Sequence, residues 1–183
     1  MKQIFTRSTT TSQQELFSTP SNVSASKFIS IYRVCLVKDA TVFFGQSSVN
    51  NSKQAHTVIQ NLILTRGQPD REQFVVALLN AKNKIIGLNI VSVGILSSAP
   101  IHPREVLKPA ILANSSAMIL CHNHPSGDLT PSPDDLEVTR KIIKASDIVG
   151  IQVHEHIIIN LEDHRYFSFA DEGYIKRFYD DIV

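Results

Sequence analysis

A strand, a turn and a helix start are compressed into residues 117–135, and the polar side chains they carry leave few folds open. Residues 117–122 (AMILCH) form an apolar run that fits a buried strand. Side chains alternate along a strand, so His122 and His124 project from one side if the extended backbone continues that far. Pro125, Ser126, Gly127 and Asp128 then read as a turn. Ser132 is a natural N-cap with Pro133 at the first helical position, and Gly150 is placed to end the helix in a left-handed conformation. Two aspartates fall in the first turn. At about 100° per residue, Asp135 shares a face with Thr139, Ile142, Ser146 and Val149, whereas Asp134 lies with Glu137, Lys141 and Lys144. The first face is less polar and should pack inward. Helix Cα–Cβ bonds tilt toward the N-terminus, which aims Asp135 back toward His124.

The pattern His-x-His-x7-Ser-x-x-Asp therefore brings two imidazoles and a carboxylate toward one point. These are three ligands suited to zinc, although iron or manganese could take the same set. A helix N-terminus repels a cation, so a metal there needs the carboxylate. Three protein ligands with one open position describe a catalytic zinc site rather than a structural one. The fourth ligand is then water, with its pKa lowered to about 7. Hydrolysis also requires a base for the water's proton and a donor for the developing oxyanion. Ser132 can be that donor, or its hydroxyl only caps the helix. Taken singly, each residue has an ordinary explanation: packing for a buried histidine, a turn for Pro-Ser-Gly-Asp, a helix start for Ser-Pro-Asp-Asp. Their convergence on one point favours the metal.

This stretch resembles the JAMM motif of the JAB/MPN metalloprotease family, and the wider wording HPREV, HNHPSGD and PSPDD resembles its bacterial RadC-like branch. The resemblance covers roughly residues 65–183. It implies an α/β fold, a mixed β-sheet flanked by helices, of the cytidine-deaminase-like MPN type. It implies that His122, His124 and Asp135 bind Zn2+, that Ser132 assists the transition state, and that a glutamate on an earlier strand holds the catalytic water. Glu72 is the choice for that glutamate, because it opens an apolar strand about fifty residues before His122 as the family's does. Glu105, in HPREV, is the rival, but it sits just after Pro103 and can merely favour a helix N-terminus.

Composition narrows the function classes. Lys and Arg number 18 against 17 Asp and Glu, a formal charge of +1 with no basic stripe, which gives no support to strong DNA binding. Hydrophobic residues make up 43%, ordinary for a globular chain of 183 residues, which is long enough for a core. Two cysteines, Cys35 and Cys121, fit reduced thiols in the cytoplasm, with Cys121 as packing. The N-terminus lacks the apolar core of a signal peptide, and no run approaches membrane-spanning length.

Along the chain, residues 1–27 read as a flexible segment rich in Ser, Thr and Gln. Residues 28–64 read as a strand–strand–helix extension that could cover one edge of the catalytic sheet. Its strands lie in 28–45 with a turn at Lys38, Asp39 and Ala40, and Ser52 caps a helix of about 53–64. The JAMM domain takes residues 65–183. Strands are expected at 72–80 and 85–95, joined by a turn at 81–84, and at 151–159 and 166–169. A C-terminal turn or helix is expected around 170–179. A helix over 103–113 contains Pro109, which should kink or split it. His102 and Arg104 are candidate substrate contacts. His154 and His156 form a second His-x-His on one strand face, but no aspartate follows at the JAMM spacing, so they are expected near the site rather than as a second metal site.

The leading expectation is a zinc-dependent hydrolase that cuts a peptide or isopeptide bond. Water deprotonated by Glu72 attacks a carbonyl, zinc and Ser132 stabilise the oxyanion, and Glu72 passes the proton to the leaving amine. Two alternatives stand beside it. One is a RadC-type DNA repair or recombination accessory, a role implied by association alone, since no Gly-containing helix-hairpin-helix pattern precedes the domain. The other is a non-catalytic MPN scaffold, against which the complete ligand set weighs.

Overall fold

The computed structural model describes residues 30–41, 48–94 and 101–182. The chain divides into two units, Met1–Arg33 and Val34–Val183. Of the first, only residues 30–33 are described, exposed and without regular structure. The flexible segment expected over residues 1–27 lies outside the described residues.

The second unit carries every described helix and strand. In chain order these are α1 (Ser52–Arg66), β1 (Gln73–Leu79), β2 (Ile85–Val93), α2 (Pro103–Leu112), β3 (Ala117–Asn123), α3 (Pro133–Ile148), β4 (Gln152–Ile159), β5 (Tyr166–Ser168) and α4 (Tyr174–Asp180). The strands form one five-stranded mixed sheet in the order β2-β1-β3-β4-β5. Only β3 and β4 pair in parallel. A parallel pair needs a crossover, and α3 supplies it. The expected α/β architecture, a mixed sheet flanked by helices, is what the chain adopts.

Both faces of the sheet are covered. Phe74, Val76, Leu78, Met118, Leu120 and Ile158 share a core with Val106 and Ala110 of α2, Ile142 and Ile143 of α3, and Phe178 of α4. On the other face Val75, Ala77, Ile119, Cys121 and Ile157 share a core with Ala55, Ile59 and Ile63 of α1. Two-sided cover is why β1 and β3 are buried at every residue and read as unbroken apolar runs. It also corrects one expectation: α1 lies over a face of the sheet, not along its edge.

Four local expectations change. Residues 30–41, expected within two strands, are exposed and carry no strand; the remainder of 28–45 lies outside the described residues. Their β-branched and aromatic composition favours a strand only where a neighbouring ladder exists. The N-cap of α1 is Asn51, whose side chain accepts from Gln54 N at 2.9 Å. Ser52 instead donates to buried Glu155 Oε2 at 2.6 Å. Helix α2 runs through Pro109 as one element, capped by the His102 side chain, which accepts from Arg104 N at 3.3 Å. Finally, His154 and His156 do not share a face. The β3–β4 ladder shifts register between Met118 and Ile119, so that Met118 pairs with Val153 and Ile119 with Glu155. The extra residue is His154, which is exposed, while His156 is fully buried. Elsewhere the expectation holds: Gly150 follows α3 with φ +72°, and Asp135, Thr139, Ile142 and Ser146 face inward, although Val149 is 45% exposed.

Glu155 ties α1 and β5 to β4. Its carboxylate accepts from Ser52 Oγ, Ser168 Oγ, His156 N and Ala170 N at 2.5–2.9 Å. Among the described residues no helix is long and apolar enough to cross a membrane, and both cysteines are free, Cys35 exposed and Cys121 buried. Glu155→Leu would leave those donors without an acceptor and should destabilise the fold by about 3 kcal/mol, read as a lower urea midpoint. Burial pushes the Glu155 carboxyl above its usual 4.5, against the opposing hydrogen bonds from Ser168, Ser52, Ala170 and His156. The folded chain therefore holds this proton more tightly than the unfolded chain does. The resulting stabilisation is fully present below about pH 4.5 and is lost as pH rises through the raised value. The pH profile of Glu155→Gln should lack that fall.

Candidate metal centre

The end of β3, the first turn of α3 and the residue just before β1 meet at one point. The β1–β3 ladder sets Phe74 opposite His122, which brings Glu72 alongside the residues that follow the strand. Beyond β3 the backbone keeps its pairing for one more residue, with His124 N donating to Ile159 O at 3.3 Å. His124 O then accepts from Gly127 N at 2.9 Å, closing a turn in which Gly127 takes φ +76°, a value that favours glycine.

These elements bring four residues together. His122 Nε2 lies 3.0 Å from His124 Nε2 and 3.1 Å from Asp135 Oδ1. His124 Nε2 lies 3.7 Å from Asp135 Oδ2 and 4.0 Å from Glu72 Oε1. Glu72, His122 and His124 offer ligand atoms within 4.8 Å of one another, a group that could hold a metal ion. His122 is fully buried and Asp135 nearly so, while Glu72 and His124 reach the surface of an open groove.

Each side chain is held from behind. His124 Nδ1 faces Asp128 O at 2.5 Å. A carbonyl only accepts, so His124 carries its proton on Nδ1 and turns the Nε2 lone pair inward. Asp135 is the N3 residue of a capping box: Oδ2 accepts from Ser132 N at 2.8 Å and Ser132 Oγ at 2.7 Å, while Asp135 N donates to Ser132 Oγ at 3.1 Å. Burial opposes the charge on Asp135. The His122 imidazole beside it and the Ser132 hydrogen bonds outweigh it, and the carboxyl sits well below its usual range. Ser132 is thus the helix cap, and its hydroxyl lies against the carboxylate that faces both histidines. The competing Glu105 is turned away on α2, with its carboxylate 2.7 Å from Lys108 Nζ. His102 serves as the α2 cap and Arg104 pairs with Glu105 at 3.3 Å, so neither is seen at the groove.

The profile of the RadC-like JAB domain matches residues 49–174. The chain belongs to that family. It is 46% identical over 127 residues to a UPF0758 protein of Desulfitobacterium hafniense, covering 68% of this chain and 53% of that one. A UPF0758 protein of Rubrobacter xylanophilus is 50% identical over 104 residues, 57% of this chain and 44% of that one. One from Methanosarcina mazei is 43% identical over 106 residues, 58% and 45% respectively. The chain thus spans about half the length of the curated relatives it matches. The match begins at residue 49, so α1 belongs to the RadC-like domain profile as well as to its second core.

Sequence reasoning passed over Asn123, the residue between the histidines. It is fully buried. Its Oδ1 accepts from Gln73 N at 3.0 Å and its Nδ2 donates to Arg71 O at 2.9 Å. One amide thereby clamps the backbone on both sides of Glu72. The available signal was an amide side chain inside an otherwise apolar strand, where it must find partners. Asn123→Ala should cost about 1–3 kcal/mol. Amide exchange at Gln73 should quicken by about tenfold or more while Val76, in mid-strand, keeps its protection.

Proposed function

We propose that this protein is a metal-dependent hydrolase that cleaves an amide bond, in a peptide or isopeptide, with zinc as its metal. The observation that carries this reading is the cluster of His122 Nε2, His124 Nε2 and the Asp135 carboxylate at 3.0–3.7 Å, with Glu72 Oε1 4.0 Å from His124 Nε2. A tetrahedral ion with bonds of about 2.0–2.1 Å needs ligand atoms separated by about 3.3 Å, within that spread. Two imidazoles and one carboxylate are a donor set for a catalytic zinc with a position left open. When bound, zinc supplies a Lewis acid and lowers the pKa of water to about 7.

The remaining work falls to the chain. His122, His124 and Asp135 would hold the ion. Glu72 stands beside them at the groove, held by the Asn123 clamp, where it can take a proton from water and return it to the leaving amine. Ser132 can both cap the helix and serve the reaction. Its lone pair keeps the Asp135 N–H while rotation of the hydroxyl hydrogen turns the donor from Asp135 Oδ2 toward a developing oxyanion. The groove also bears on the substrate. Asp70, Asp128, Asp134 and Glu137 line it against Arg71 and Lys141, and Lys141 already pairs with Glu137. Such a rim repels phosphates, which supports a polypeptide over nucleic acid.

The test begins with metal content. Natively purified protein should carry close to one zinc per chain by mass spectrometry, and Asp135→Ala should lose it. Glu72→Gln should keep the metal and lose about 10²–10⁴-fold in turnover of a peptide-library substrate. A chain that takes up no metal when zinc is supplied would overturn the reading. Unchanged turnover in Glu72→Gln would remove Glu72 as the base.

A further inference from the structure

His122 has a proton-bearing chain behind it that no motif describes. His122 Nδ1 lies 2.8 Å from His156 Nε2, and His156 Nδ1 lies 2.6 Å from Thr139 Oγ1. Thr139 Oγ1 in turn donates to the backbone carbonyl of Asp135 at 2.5 Å. The three residues come from β3, β4 and α3, and all are fully buried. His156 is packed between Phe169, stacked at 4.6 Å, and Phe74, at 5.5 Å. Among the described residues the buried side-chain nitrogen and oxygen atoms without a partner are His56 Nε2 and Ser115 Oγ, neither of them in this chain.

We propose that Thr139 and His156 are positioning residues that determine which nitrogen of His122 faces the metal centre. The available protons fix the polarity of the chain. A hydroxyl has one hydrogen, and that of Thr139 goes to the Asp135 carbonyl. Thr139 can then offer His156 only a lone pair, so His156 carries its proton on Nδ1. A neutral imidazole has one N–H and one lone pair, which leaves His156 Nε2 as an acceptor. His122 Nδ1 must therefore be the donor. Its Nε2 is left with a lone pair aimed at the point shared by His124 Nε2 and Asp135, 3.0 and 3.1 Å away. The opposite polarity, with the Thr139 hydroxyl donating to His156, would place a hydrogen on His122 Nε2 and block ligation. The Asp128 carbonyl does for His124 what the Thr139–His156 pair does for His122. Because Thr139 also holds the Asp135 carbonyl, the helix that presents the carboxylate and the strand that presents the imidazole are set by the same hydroxyl.

The consequence for metal affinity rests on the hydrolase reading above, but the proton positions do not. The experiment reads both. Long-range proton–nitrogen NMR of chelator-treated protein with labelled histidines should show His122 and His156 protonated on Nδ1, with Nε2 bare. Competition with a chromogenic chelator should show Thr139→Val weakening zinc binding by about 10–100-fold, the usual effect of removing a partner behind a metal ligand. Thr139→Ser, which restores the hydroxyl, should restore the affinity, an outcome that loss of packing alone would not produce. A thermal melt establishes that each variant is folded. Wild-type protein with its His122 proton on Nε2 would overturn the proposal whether or not any variant folds. Unchanged zinc affinity in folded Thr139→Val would overturn it as well. A wild-type chain that binds no zinc sinks the hydrolase reading instead, and the NMR result then decides the proton positions alone.

Discussion

The Asp135 carboxylate belongs to two structures at once. Oδ2 takes the Ser132 N–H and hydroxyl and so closes the first turn of α3, while Oδ1 faces His122 at 3.1 Å. A helix N-terminus presents unsatisfied N–H groups and the positive end of a dipole, a poor place for a cation. Setting a full negative charge there reverses the local field. The His122 imidazole keeps this carboxyl ionised against its burial, and the hydrogen bonds from Ser132 that start the helix add to it. Geometry of the site and integrity of α3 are therefore one property, since the cap that starts the helix also fixes the carboxylate facing both histidines.

The sheet performs the complementary task from the other side. β3 is buried on both faces and cannot slip without moving apolar side chains into the wrong layer. His122 inherits that rigidity as a member of the strand, and His124 retains it through the additional ladder bond to Ile159. Asn123 extends the ladder sideways to residues 71 and 73. Three consecutive residues thus hold the two imidazoles and register the neighbouring glutamate.

Periodicity made much of this legible. The apolar runs at β1 and β3, the Ser132–Pro133 start of α3 and the inward face bearing Asp135 and Thr139 follow from local spacing, and so the motif could be set on a strand end and a helix start. What escaped depends on distant partners. Ser52 and Asn51 are both good capping types one residue apart, and only Glu155, more than a hundred positions away, decides which caps and which serves the network. The alternation that put His154 and His156 together assumes a regular ladder, and the inserted residue at His154 breaks it. Residues 30–41 have strand-like composition but no described ladder. Asn123 and Thr139 looked like ordinary polar positions because their roles lie in hydrogen bonds to other elements, from β3 to the residues flanking Glu72 and from α3 to β4.

The β1–β3–β4 order has a thermodynamic meaning beyond shape. Glu72 meets the histidines only through the antiparallel pairing of β1 with β3, and His156 meets His122 only through the parallel pairing of β3 with β4. The parallel pairing in turn requires the α3 crossover that carries Asp135. His122, His124 and Asp135 lie within one stretch of chain, but Glu72 and His156 join them only through these pairings, so an ion recognising the full constellation recognises the completed sheet. Whatever binds there acts as a ligand of the native state alone, and by mass action its affinity adds to the free energy that keeps the fold from opening.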